Sequence, residues 1–174
     1  MDKYTAELSN AAPPGSKIEI SDSGYINSEL FVKWLRHFID VVHPSKEKKV
    51  LLLLDGHTTH CKNLEALLLA RESGVILMQL PGHTTHRLQP LDRSFFKPME
   101  VYYTEAPEKW LRSNIERTVT QYQVAELLNE AYGRAATIQT AANGFKASGV
   151  WPVNRHVFKD FDFVDSTVLI LKKY

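Results

Sequence analysis

The sequence predicts an α/β fold, because two short apolar runs flank a helical segment in the order strand, helix, strand. The runs at Val50–Leu54 and at residues 75–80 have the length of strands and are apolar almost throughout. Between them, residues 62–73 favour a helix that Gly74 ends. Such a unit predicts two parallel neighbouring strands joined by a right-handed crossover. The continuous apolar character of Val50–Leu54 is typical of a strand that is covered on both faces.

A helix is predicted before this unit, and polar residues precede the helix. Asn27 and Ser28 are N-cap residues for a helix that reaches about Val42, with its apolar side chains on one stripe. Upstream, the sequence indicates a loop with a short strand at residues 17–20. On these patterns the chain divides into a polar N-terminal segment, a folded domain and a C-terminal tail, at residues 1–24, 25–160 and 161–174.

The second half of the folded domain is predicted to be helical. The aromatic residues between 95 and 103 have the spacing of an amphipathic helix, in which Pro98 fits only the first turn or a kink. Thr120 and Gln123 have the form of a capping box at the start of a second helix. A third, short helix is predicted at residues 140–148.

Composition limits the classes of protein to which the chain can belong. Its 174 residues are enough for one domain with a sizeable core. A net charge of +1 excludes binding to nucleic acid by global charge and leaves a local basic patch as the alternative. Cys61 is the single cysteine, so an internal disulfide is excluded and a cytosolic or nuclear protein is favoured. No apolar run reaches the length of a membrane span.

Asp55 and Asp92 are the candidate catalytic residues and metal ligands. Asp55 ends the first apolar run, and Asp92 follows the second run through a loop. Because parallel strands end at the same edge of a sheet, Asp55 is expected near the loop that leads to Asp92. Carboxylates of this kind hold Mg²⁺, and two such ions bracket the oxygens of a displacement at phosphorus. The pattern therefore indicates metal-dependent phosphodiester chemistry, with a turn-capping role for each aspartate as the alternative.

The same Gly-His-Thr-Thr-His turn follows each predicted strand. The two turns contain two pairs of histidines: His57 and His60, and His83 and His86. Four imidazoles are enough for a zinc site. However, no glutamate stands between the histidines of a pair as in a zinc hydrolase. Support of the turn, or orientation of a metal-bound carboxylate, is therefore the favoured role.

Three cations lie close to Asp92 in the sequence. Arg87, Arg93 and Lys97 are candidate contacts to a nucleic-acid backbone, because phosphate oxygens are bound mainly by arginine and lysine. The alternative is that all three are ordinary solvated side chains at the start of a helix.

The two turns and the strands before them carry a resemblance to a known family. Residues 51–60 and residues 80–92, which end in Leu-Gln-Pro-Leu-Asp, closely resemble motifs of the DDE superfamily endonuclease domain. The nearest branch is that of the pogo, Tigger and jerky-like transposases and their domesticated relatives, including centromere protein B. Shorter matches at residues 24–31 and 144–154 extend the resemblance over about residues 15–160.

The resemblance implies a partial RNase H-like fold with a central mixed sheet. In the family, three carboxylates hold two Mg²⁺ ions, DNA is nicked by water, and the freed 3′-hydroxyl attacks target DNA. Asp55 matches the second acid and Asp92 the third, whereas no residue before position 24 matches the first. The resemblance also implies Mg²⁺ or Mn²⁺ as cofactor, DNA as partner and a location in the nucleus.

The missing match to the first acid leads to the expectation of an N-terminally truncated nuclease that is inactive alone. Besides DNA, the expected partner is a second copy of the chain, in a homo-oligomer, or the missing N-terminal portion of a longer protein. Two alternatives remain open. The first is a domesticated DNA-binding or chromatin-interaction module without catalysis, and the second is a zinc hydrolase built on the histidine pairs.

Overall fold

The computed structural model describes residues 6–56, 62–82, 84–159 and 162. Two strands and seven α-helices lie in these ranges: α1 (Ser28–Val42), β1 (Val50–Leu54), α2 (Leu64–Ser73), β2 (Val75–Gln79), α3 (Thr85–Leu88), α4 (Pro90–Ser94), α5 (Phe96–Ser113), α6 (Val124–Ala135) and α7 (Ile138–Ala147). Short 3-10 helices lie at Ala6–Ser9 and Gln121–Gln123. The predicted α/β order, with helices in the second half, is confirmed.

β1 and β2 form a parallel pair, as the strand–helix–strand order predicts. The register pairs Val50 with Val75 at one end and Leu54 with Gln79 at the other. The predicted mixed sheet is not seen, because the sheet in the described ranges consists of these two parallel strands. The parallel βαβ unit is confirmed, and it fixes which strand ends share an edge.

The predicted strand at residues 17–20 is wrong. No strand forms there, and the segment lies along α1 instead. Glu19 makes an ion pair of 3.5 Å with Lys33, and a hydrogen bond of 2.9 Å joins His37 Nε2 to the carbonyl oxygen of Gly15. A strand needs a neighbouring strand to pair its backbone groups, and helix α1 offers side chains only.

The ends of α1 and α2 follow the local sequence signals. The Asn27 side chain accepts a hydrogen bond of 2.8 Å from the backbone N–H of Leu30, and α1 ends before His43, which is left-handed at φ 50°. Asn63 caps α2 in the same way, and Gly74 ends it at φ 80°. The predicted bounds of α1 and the predicted end of α2 are confirmed, because both depend on caps that are local in sequence.

The core of the α/β part lies on one side of the sheet. Its buried residues come from α1, α2 and β2: Phe31, Val32, Leu35, Ala66, Ala70 and Val75. Leu52, Leu54 and Leu77 reach this cluster from the strands and are partly buried. The inward residues of β1 therefore alternate with residues on the opposite face of the sheet, as the period of a strand requires.

In the part of the chain that the structure describes, the opposite face of the sheet is about half exposed, so the predicted covering of both faces of Val50–Leu54 is wrong. Leu51, Ile76 and Met78 are 47%, 49% and 49% exposed. They point away from α1 and α2, because Leu52 and Leu77 on the other face contact the core cluster. A continuous apolar run does not by itself require two covering layers. Here it produces an apolar patch on the surface instead.

The second half of the structure packs helix against helix. α5 packs on α6, and α4 packs on α7. Pro98 lies in the first turn of α5 and the Thr120–Gln123 capping box is present, as predicted, whereas Pro107 inside α5 was not anticipated. The predicted helix at 140–148 is α7. None of the helices in the described ranges is both long and apolar enough to cross a bilayer.

Candidate metal and DNA site

Asp55 lies at the carboxyl edge of the sheet, directly after β1. The backbone N–H of Leu80 donates a hydrogen bond of 2.7 Å to the carbonyl oxygen of Leu54, which continues the pairing past β2. Gly56 then lies against the chain that follows β2, since a Cβ placed on it would be 3.8 Å from the Cα of Gly82. The structure therefore brings together the segments that follow the two strands, as expected of a parallel pair. Asp55 itself is half-buried.

Asp92 is positioned by the packing of α4 on α7. It is half-buried in the first turn of α4, which begins at Pro90. The Ser94 hydroxyl donates a hydrogen bond of 2.7 Å to the carbonyl oxygen of Thr140. A Cβ placed on Gly144 would lie 2.5 Å from the carbonyl oxygen of Pro90 and 2.6 Å from Ser94 Oγ. The absence of a side chain at 144 is what allows α4 to sit directly on α7.

Ser94, Thr140 and Gly144 were not identified as positioning residues from the sequence. The available signal was Gly144, a glycine in the interior of a predicted helix, where it costs roughly 1 kcal/mol relative to alanine. Such a cost indicates a close backbone approach. The sequence does not show which distant segment makes that approach.

Among the four histidines of the repeated turns, only His86 lies in a described range. It is exposed on α3 and makes no hydrogen bond to the described residues. His57, His60 and His83 lie outside the described residues. Within the second turn, the Thr84 hydroxyl donates a hydrogen bond of 2.6 Å to the carbonyl oxygen of Pro81. Support by the histidines stays a prediction.

The three cations near Asp92 differ in their surroundings. Arg87 Nη1 lies 2.7 Å from Asp162 Oδ1, and the other oxygen of that carboxylate accepts a hydrogen bond of 2.8 Å from the Lys159 backbone N–H. The charge of Arg87 is therefore compensated. Arg93 and Lys97 are exposed and have no carboxylate partner in the part of the chain that the structure describes. Their charges are available to an incoming anion.

The candidate ligands are of the chemical type that Mg²⁺ prefers, but the described residues offer fewer carboxylates than the family's site has. Asp55 and Asp92 offer carboxylate oxygens, which hard divalent cations prefer. Within residues 6–56, 62–82, 84–159 and 162, however, no three His, Cys, Asp or Glu side chains lie close enough together to hold a metal ion. The described part of the chain thus contains two candidate acids and not a complete three-carboxylate set.

Comparison with known proteins places the chain in a family. Residues 3–142 match the family model described as DDE superfamily endonuclease. A protein of Cochliobolus lunatus named MFS-type transporter clz9 is 29% identical over 137 residues, which are 78% of this chain and 15% of that protein. The chain therefore spans about 15% of the length of this relative. No solved structure matches the chain significantly. Because the family model covers well over half of the chain and includes both aspartates, the chain belongs to the DDE superfamily endonuclease family.

Proposed function

We propose that the chain is a transposase-derived endonuclease domain of the pogo, Tigger and centromere protein B branch. In this proposal Asp55 and Asp92 bind Mg²⁺ or Mn²⁺, DNA is the partner, and the protein works in the nucleus. The main support is the position of Asp55 at the carboxyl end of a parallel strand, against the segment that leads to Asp92. Open α/β sheets hold their sites at this edge.

The residues of the chain have separate tasks in this proposal. β1 holds Asp55, and the α4–α7 contact holds Asp92, so each carboxylate is presented by an ordered element. Arg93 and Lys97 contact phosphate oxygens of the DNA and fix its position without reading its sequence. A bound divalent ion supplies charge stabilisation at phosphorus and makes water a better nucleophile.

We also propose that this chain does not cut DNA by itself. The described residues offer two acids where the family uses three, and no group of three metal-ligating side chains forms among them. In this proposal a third carboxylate comes from residues outside the described ranges, from a longer protein that contains this domain, or from a second copy of the chain.

Mn²⁺ binding, followed by electron paramagnetic resonance of the free ion, tests the role of the two aspartates. We expect weak binding by the wild-type chain and a loss of at least tenfold in affinity in Asp55→Asn and Asp92→Asn. Asp40→Asn is the matched control, because Asp40 is an exposed aspartate on α1, and it should bind as wild type. Unchanged Mn²⁺ affinity in both site variants, with folding verified by circular dichroism, would contradict the proposal.

Nicking of supercoiled plasmid in Mg²⁺ or Mn²⁺ tests the proposed inactivity. We expect no relaxation of the plasmid by the wild-type chain or by any variant. Robust nicking that Asp55→Ala abolishes would show instead that the chain is a complete enzyme.

The domesticated DNA-binding module is the second candidate function. The exposed, uncompensated charges of Arg93 and Lys97 favour it. It is also favoured because the described residues offer two candidate acids and no group of three metal ligands. It predicts DNA binding that needs no metal and that persists in the Asp55→Asn/Asp92→Asn double variant.

A further inference from the structure

A second group of cations lies at the opposite edge of the sheet from Asp55. Lys46, Lys48 and Lys49 stand in the turn between α1 and β1, and Arg71 lies in the last turn of α2. All four are exposed, and none has a carboxylate partner among the described residues. We call these four residues the amino-edge cluster. The strand that separates it from Asp55 has five residues, which is roughly 16 Å.

The backbone that carries the amino-edge cluster is held in one arrangement. The Ser45 backbone N–H donates to the carbonyl oxygen of Lys48, and the Lys48 N–H donates to Ser45 Oγ, both at 3.0 Å. Gly74, at the end of α2, abuts this turn, since a Cβ placed on it would lie 2.1 Å from the carbonyl oxygen of Ser45. Lys49 and Arg71 therefore line the same cleft, of about 350 Å³.

The carboxylates nearest in sequence offset part of the charge of this cluster, but they form no ion pair with it among the described residues. Glu47 accepts a hydrogen bond of 2.9 Å from the Ser45 hydroxyl, and Glu72 is an exposed residue with no cation bound to it in the described part of the chain. Six other cations of the described chain form ion pairs with carboxylates, at Lys33, Arg36, Arg87, Lys109, Arg112 and Arg134. The unpaired cations elsewhere are scattered, whereas the four of the amino-edge cluster lie together on one edge. With Glu47 and Glu72 included, this edge has a formal charge of +2, which makes a local positive potential in a chain whose net charge is only +1.

The chemistry of the cluster fits a phosphate backbone. Three of its four members are lysines, which act as mobile point charges and not as the planar forks that read base edges. Lysine and arginine contacts to phosphate position a protein on DNA without regard to sequence. Exposed charges of this kind, on a turn whose backbone is held by hydrogen bonds, therefore indicate a surface that binds the DNA backbone and not the bases.

We propose that the amino-edge cluster is a second, sequence-independent contact to the backbone of duplex DNA. It rests on the proposed function only in taking DNA as the partner. The two surfaces lie at opposite ends of the parallel strands, roughly 16 Å apart, so the cluster contacts a stretch of DNA backbone other than the one held at Asp55 and Asp92. The domain would thereby hold two stretches of DNA, one at each edge of its sheet.

Two matched charge-removal variants test this proposal. The first removes the cluster (Lys46→Gln, Lys48→Gln, Lys49→Gln and Arg71→Gln). The control removes four exposed, unpaired cations that are scattered over the rest of the described chain (Lys17→Gln, Arg117→Gln, Lys146→Gln and Arg155→Gln). Both variants lose the same net charge, so a difference between their affinities for DNA shows the effect of having the four cations together on one edge. Circular dichroism verifies that each variant is folded.

Fluorescence anisotropy with a random-sequence 20-base-pair duplex, from 50 to 200 mM KCl, gives the readout. We expect the cluster variant to lose at least tenfold in affinity and to flatten the slope of log K against log salt by about 3.6, since each of the four phosphate contacts contributes roughly 0.9. The control should lose less than threefold in affinity. Equal effects in both variants, or no binding of duplex by the wild-type chain at 50 mM KCl, would overturn the proposal.

Two further measurements separate this inference from other outcomes. Mn²⁺ binding should be the same in the cluster variant and in wild type, so a failure of the metal proposal at Asp55 and Asp92 appears independently of the DNA result. Vesicles of phosphatidylserine and phosphatidylcholine should not bind. Cluster-dependent binding to these vesicles without binding to the duplex would identify a membrane as the partner and overturn the assignment to DNA.

Discussion

The α/β half of the structure (α1 to β2) and the helical half (α3 to α7) build their cores from different side chains, and each half carries one candidate acid. The α/β half fully buries Phe31 and Leu35. The buried hydrophobic residues of the helical half are Leu127 and four alanines: Ala106, Ala125, Ala131 and Ala135. Asp55 is thus held on a core of large side chains, whereas Asp92 is held by close approach of helix backbones. The first arrangement is sensitive to lost volume and the second to added volume.

Loss of volume in the α/β half is expected to have the largest effect. Leu35 is 0% exposed, so Leu35→Ala should lower the free energy of unfolding by roughly 2–5 kcal/mol, from lost transfer energy and the cavity left behind. Leu67→Ala on α2 is the control, because this leucine is 44% exposed, and it should cost less than about 1 kcal/mol. Urea denaturation measures both, and equal costs would show that the α/β half is not sensitive to lost volume in its core.

Added volume in the helical half is expected to have the next largest effect. In Gly144→Ala the new methyl meets the Pro90 carbonyl oxygen at 2.5 Å, so α4 has to move from α7 at a cost of roughly 1–3 kcal/mol. Gly133→Ala on α6 adds the same methyl to open space and should stabilise the protein by about 1 kcal/mol through helix propensity. Thermal denaturation measures both variants: the melting temperature should fall in Gly144→Ala and rise in Gly133→Ala.

Gly144→Ala also carries a second readout that a purely global loss of stability would not give. Because Ser94 and Pro90 flank Asp92 on α4, the shift of α4 should weaken Mn²⁺ binding under conditions in which the variant is fully folded. Gly133→Ala should leave Mn²⁺ binding unchanged. Wild-type Mn²⁺ affinity in folded Gly144→Ala would show that α7 does not position Asp92.

Removal of equivalent helix caps is expected to give the smallest effect and compares the halves directly. Asn63 is buried, caps α2 and also donates a hydrogen bond of 2.7 Å to the Ser28 carbonyl oxygen, so Asn63→Ala should cost roughly 2 kcal/mol. Thr137 caps α7 while exposed, and Thr137→Ala should cost about 1 kcal/mol. Chemical denaturation measures the free energy of unfolding of both variants. Equal losses would show that burial of the cap does not affect its contribution.

Local signals in the sequence predicted the secondary structure well. Asn27 marks the start of α1, and Gly74 marks the end of α2, because each satisfies backbone groups within its own turn. The apolar run Val50–Leu54 has the bounds of β1. These features depend on residues within a few positions of each other, so no knowledge of the fold is needed to find them.

The contacts that position the candidate site were not predictable in the same way. Arg87 appeared in the sequence as a free cation beside Asp92, but it pairs with Asp162, 75 residues away. Gly144 appeared only as part of a motif, but its missing side chain admits the Pro90 carbonyl oxygen. Pairings across such separations are set by how the helices pack, and the local pattern around each residue contains no information about the partner.

The sequence by itself determined the order of the strands and helices, their caps and the two aspartates that match the endonuclease family. The strands, helices and caps depend on residues that are close in sequence. The identification of Asp92 depends on the family motif that residues 80–92 match. The tertiary structure decided which face of the sheet is covered, which cations are compensated and what holds Asp92 in place. It decided them because burial and charge compensation depend on which distant segments meet, and in this protein α1 and α2 both pack on the same side of the two strands.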